Sequence, residues 1–99
     1  MQMDVELGAV IGEFMEDVRD DPRISPAHIS LYLAIVDRWM AQGGRSPVRF
    51  TARGMMPCAK IGGRTLFCRT IRQLHDYGYL RYEPSFKPDE PSKVWLSEE

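Results

Sequence analysis

The chain has 99 residues and a mass of 11.4 kDa, enough for one domain, because a second independent core would leave each half near the lower limit for unaided folding. With 43% apolar and 27% charged residues it has the composition of a soluble globular protein, which excludes a disordered or membrane-embedded chain. A net charge of −1 excludes a histone-like polycation.

That average hides a segregation. Residues 1–44 hold three bases against eight acids, a net −5, and residues 45–82 hold eight bases against Asp76, a net +7. Residues 83–99 contribute the remaining −3. Charge asymmetry within one small domain points to a polyanion-binding face more directly than the total does. A merely solvated basic helix is the alternative at this level.

Leu7, Val10, Ile11, Phe14 and Val18 recur at three- and four-residue steps and predict an amphipathic helix over residues 1–20, with acids on its outer face. Asp20-Asp21-Pro22 ends it, because proline disfavours helical geometry in the residue before it. Gly8 and Gly12, one turn apart, let another backbone approach, either within the fold or across a homodimer contact. Ser25-Pro26 then starts a second helix, with serine as N-cap and proline where its missing N–H is harmless. Ile29, Tyr32, Leu33, Val36 and Met40 form one apolar stripe to about Ala41, and Leu31, Ile35 and Trp39 form another. This helix is expected to be the central post of the core. Gly43-Gly44 ends it in the left-handed conformation.

Pro47–Phe50 predicts a short edge strand. Thr51 caps a helix containing Met55 and Met56, limited to one or two turns by Gly54 and Pro57. Gly62-Gly63 reads as a tight turn into a strong helix, Arg64–Tyr77, that buries Phe67, Thr70, Ile71 and Leu74. Thr65, Arg69, Arg72 and Asp76 project from its opposite side, flanked by Arg64 and Cys68. Gly78 caps that helix. Two alternating strands, Tyr79–Tyr82 and Lys93–Leu96, close a hairpin whose Leu80, Tyr82, Val94 and Leu96 face inward across a loop containing Pro84, Pro88 and Pro91. The order predicts an α+β, mainly helical fold, a winged helix-turn-helix core over 26–97 with an extra N-terminal helix.

Motifs of chemistry are missing from this pattern. There is no nucleophile elbow, HExxH, phosphate-binding loop or dinucleotide fingerprint, so no enzyme and no cofactor are expected. Cys58 and Cys68 lie ten apart with no CxxC and no histidine at ligand spacing, which predicts reduced, partly buried thiols and no metal. His28 and His75 read as helix-surface or helix-end residues. With neither a secretory signal nor a long apolar run, the chain is expected in the cytoplasm, away from membranes.

Ile29-Ser30-Leu31-Tyr32, Lys60-Ile61, the run Leu74-His75-Asp76-Tyr77-Gly78-Tyr79-Leu80-Arg81-Tyr82-Glu83-Pro84-Ser85 and then Ser92-Lys93-Val94 resemble a family of small bacterial winged-helix proteins. These are proposed transcriptional regulators, several of them associated with mobile elements. The resemblance spans about residues 26–97 and is most specific at the Leu74–Leu80 junction between recognition helix and wing. It implies a double-stranded DNA partner. On that reading the helix from Arg64 enters the major groove, where Arg64, Thr65, Cys68, Arg69 and Arg72 meet base edges or flanking phosphates. Arg53 and Lys60 anchor the backbone, as do Lys87 and Lys93 from the wing. A monomer of this size offers a short reading frame, so a homodimer contact through the N-terminal helix, outside the resemblance, is expected as well. Two other readings stay open: a protein-interaction winged helix, and a replication or mobile-element accessory protein using the same residues. The chain departs from the family at Pro57, at Gly62-Gly63, and at Asp89 and Glu90, whose charges at the wing tip would repel DNA.

Overall fold

Seven elements follow one another: α1 (Gln2–Arg19), α2 (Pro26–Ala41), β1 (Val48–Phe50), α3 (Ala52–Ala59), α4 (Arg64–Asp76), β2 (Arg81–Glu83) and β3 (Ser92–Trp95). The computed structural model describes residues 2–87 and 90–96, with side chains from Leu7 onward; Asp89 lies outside the described residues. The class is α+β and mainly helical. The strands form an antiparallel sheet in the order β1-β3-β2, with Val94 of β3 opposite Val48 on one side and Tyr82 on the other. The first strand thus lies at an edge, as its brevity suggested. The last two strands pair as a hairpin, shifted from the expected 79–82 and 93–96.

The second helix is the post of the core. Leu31 and Ile35 are fully buried, and Tyr32, Val36 and Trp39 nearly so, because two apolar stripes let it face α1, α3, α4 and the sheet at once. Leu33 departs from the pattern and is 41% exposed. Phe14 of α1 stacks on Tyr32 with ring centroids 3.7 Å apart and meets Tyr79 edge-on at 5.5 Å, so the N-terminal helix contributes to its own protomer's core. Ser30 Oγ donates to the carbonyl of Ala59 and ties α2 to the end of α3. Glycine termination follows the sequence: Gly43 and Gly78 take φ of 78° and 89°, and the next N–H groups return to Trp39 and Leu74 at 2.9 Å.

Two expectations about histidine and cysteine are corrected. His28 is buried, 5% exposed, because it has partners on both sides. Its Nδ1 accepts from the Ser25 backbone N–H at 2.9 Å, which leaves the proton on Nε2 to be donated to Gln73 Oε1 at 2.8 Å. Cys58 is exposed, since it sits on the outer side of the short helix, while Cys68 is half-buried.

The loop between α1 and α2 is pinned to the end of α4. Asp21 Oδ2 accepts from the Tyr79 hydroxyl at 2.6 Å and from Arg23 Nη2 at 2.8 Å, and the Arg23 guanidinium lies 4.0 Å over the Tyr77 ring. The bond from Arg23, followed by that from Tyr79, holds the Asp21 carboxyl far below the usual carboxylate range. A folded-state pKa below the unfolded one stabilises the fold above about pH 4 and loses that stabilisation as pH falls below it. The urea midpoint of the wild type is therefore expected to fall more steeply between about pH 5 and pH 3 than that of Asp21→Asn. Parallel pH profiles would reject the link.

No helix among the described residues is long and apolar enough to cross a membrane.

Candidate nucleic-acid interface

The site is built on α3, the turn after it, and α4. Thr51 caps α3 by accepting from the Gly54 N–H at 3.0 Å, and Met55 and Ala59 bury its inner face. Pro57 lies inside this eight-residue helix and cannot donate to the carbonyl one turn back, in keeping with its short length.

The turn differs from the expected one. Its left-handed residue is Lys60, at φ 59° and ψ 37°, while Gly62 and Gly63 keep ordinary backbone. Lys60 N–H returns to Pro57 and Ile61 N–H to Met56, and the buried Ile61 anchors the turn in the core. A side chain in this conformation costs roughly 1–2 kcal/mol that glycine avoids. Glycines permit a left-handed turn without compelling one, and here the helix end falls two residues earlier.

Phe67, Thr70, Ile71 and Leu74 are buried on the inner face of α4, and the Thr70 hydroxyl donates to the Leu66 carbonyl at 2.6 Å. Periodicity then fixes what faces outward. Arg64, Thr65, Cys68, Arg69 and Arg72 line one shallow surface together with Gln73 and Asp76. Five of the sequence-predicted residues are thus brought together. Arg53 and Lys60 are exposed on α3 and its turn, outside that surface. Lys87 reaches Glu90 at 3.8 Å, an exposed pair of little strength. Lys93 lies in the middle strand, opposite Arg49 on one side and Glu83 on the other.

Among the described residues the ion pairs within 4.0 Å are Asp21–Arg23 and Lys87–Glu90, so no carboxylate holds Arg64, Arg69 or Arg72. Glu13, Glu16 and Asp17 of α1 could have neutralised this helix, and they form no ion pair with it. The surface presents three guanidinium groups able to make bidentate bonds to phosphate or guanine. No cluster of three metal-ligating side chains occurs among the described residues.

Two residues escaped the sequence reading. Gln73 lies one turn beyond Arg69 on the outer face, so its spacing was a usable signal. Its carboxamide oxygen is occupied by His28, which leaves the NH₂ for another acceptor. Phe86, in the loop between β2 and β3, is 91% exposed and carried no periodic signal. No protein-family model matches the chain, and neither the curated proteins nor the solved structures compared with it give a match.

Proposed function

We infer that this is a winged-helix DNA-binding protein of the cytoplasm, a transcriptional regulator that places α4 in the major groove. The observation that carries the reading is the outer face of α4, where Arg64, Arg69 and Arg72 make no ion pair among the described residues, between a helix–turn and an antiparallel hairpin. Arg53 and Lys60 flank the helix as phosphate contacts, and the left-handed Lys60 places a charge where glycine would be the less strained choice. Lys93 joins Arg49 on the sheet as a further backbone contact, while Lys87 must first leave Glu90.

A homodimer completes the proposal. The buried side of α1 is spent on its own core through Phe14, so the second copy would meet Gly8, Gly12 and the exposed Met15, where open space lies beside both glycines among the described residues. Removing residues 1–20 would strip Phe14 from the core and is a poor test. The intact chain is expected to bind random duplex at micromolar concentration in low salt, to weaken steeply as salt rises, and to enrich particular sequences on selection. Sedimentation is expected to give twice 11.4 kDa. Absence of binding defeats the DNA reading, and a monomer mass defeats the dimer.

A further inference from the structure

Gln73 and His28, 45 residues apart in the chain, form a pair across the contact between α4 and α2. The tautomer of the ring follows from its other partner. A main-chain N–H can only donate, so the Ser25 N–H at 2.9 Å from Nδ1 requires the lone pair there and leaves the proton on Nε2. Nε2 lies 2.8 Å from the Gln73 carboxamide, and a ring N–H must meet the oxygen of that group rather than its NH₂. The carboxamide is thereby held one way round.

The ring that holds the oxygen is 5% exposed and sits in the first turn of α2, with Ser25 Oγ also 2.9 Å from Nδ1. An oxygen turned toward a buried ring is turned away from a ligand. The nitrogen end stands differently. Gln73 is half-buried and shares the α4 surface with Arg69 and Arg72. Among the described residues its NH₂ has no hydrogen-bond partner, and it is not a buried orphan either, since the one such side-chain atom is Ser46 Oγ. The NH₂ therefore faces solvent on the arginine surface.

This orientation decides what Gln73 can read. A glutamine that presents both ends suits adenine, accepting from N6 and donating to N7. One that presents only NH₂ suits an edge made of acceptors, and guanine offers two side by side, O6 and N7. We propose that Gln73 reads a guanine in the major groove with its NH₂, and that His28 is the positioning residue that imposes guanine over adenine by holding the carboxamide oxygen toward the core. The proposal rests on the DNA-binding reading and adds to it a residue and a base.

The test compares the sequences selected from random duplex by the full chain and by its variants. One position is expected to hold guanine for the wild type and to lose its preference in Gln73→Ala. The affinity of that variant for the wild-type sequence is expected to fall by about fivefold or more, the least that a good base-edge contact contributes. His28→Phe keeps an apolar ring in the core and removes the N–H, so the carboxamide can present both ends and the same position is expected to change from guanine to adenine. A histidine of structural importance alone would lower stability and affinity without exchanging one base for another. If circular dichroism shows His28→Phe unfolded, Gln73→Lys decides, because a head that only donates is expected to keep guanine. The inference is overturned, with the DNA reading intact, if the wild type binds but no position responds to Gln73→Ala, or if that variant weakens all sequences alike as loss of a phosphate contact would. Adenine at that position in the wild type, guanine retained by a folded His28→Phe, or guanine lost in Gln73→Lys overturns it equally. A wild type that binds no duplex defeats both readings.

Discussion

Phe67→Ala is expected to destabilise the fold by about 3–5 kcal/mol, a large share of the roughly 5–15 kcal/mol that a domain of this size possesses. Phe67 is 1% exposed, and its ring meets Phe50 of β1 edge-on at 6.1 Å, while Phe50 in turn stacks on Tyr82 of β2 at 6.2 Å. The truncation therefore removes more than buried area. It opens a cavity at the contact that sets α4 against the sheet, and rigid neighbours close such a cavity only in part. At roughly 4–8 °C for each kcal/mol, thermal unfolding should show a loss of tens of degrees. Phe86→Ala removes the same side chain where it is 91% exposed and should stay within about 0.5 kcal/mol of wild type. A loss below about 1 kcal/mol for Phe67→Ala would mean that the sheet and α4 are not packed through this ring.

The contrast between those two phenylalanines shows what the sequence could and could not convey. Phe67 was legible because Ile71 and Leu74 repeat its side of the helix, and Ser25-Pro26, Gly43-Gly44 and Gly78 marked helix ends because capping is a local event. Local signals also placed Arg64, Arg69 and Arg72 on one surface. What escaped depends on partners far apart in the chain. His28 read as a helix-surface or helix-end residue, and its burial at the start of α2 escaped because nothing near it announces Gln73, 45 residues away; Asp21 read as a helix stop because its acceptor role requires Tyr79, 58 residues away. The turn at Lys60 was misplaced for a different reason: two glycines downstream offered freedom that the backbone did not use. Whether the α4 arginines carry ion pairs was likewise unreadable: Asp76 stands one turn from Arg72 on the same helix without pairing to it, and the other acids belong to other elements.

The freedom of those arginines makes the Arg69→Ala, Arg72→Ala double variant the most direct probe of the proposed interface. Each guanidinium that bonds a guanine edge in bidentate fashion contributes about 1–3 kcal/mol, so the pair is expected to weaken binding to a selected sequence by about 2–6 kcal/mol, roughly thirtyfold at the least. Both side chains are exposed and unpaired with acids, so their loss should leave the thermal midpoint almost unchanged. That separates a binding defect from a folding defect such as Phe67→Ala would cause. The pattern of the loss is also informative. Phosphate contacts would weaken all duplexes alike and lower the salt slope by about two, one for each contact, whereas base contacts would erase the preference for the selected sequence. Asp76 shares the surface, and Asp76→Asn is expected to tighten binding to every sequence by removing its like-charge repulsion of phosphate. Duplex affinity that survives the double arginine substitution would place any DNA contact on another face, with α3, the Lys60 turn and the sheet bases Arg49 and Lys93 as what remains.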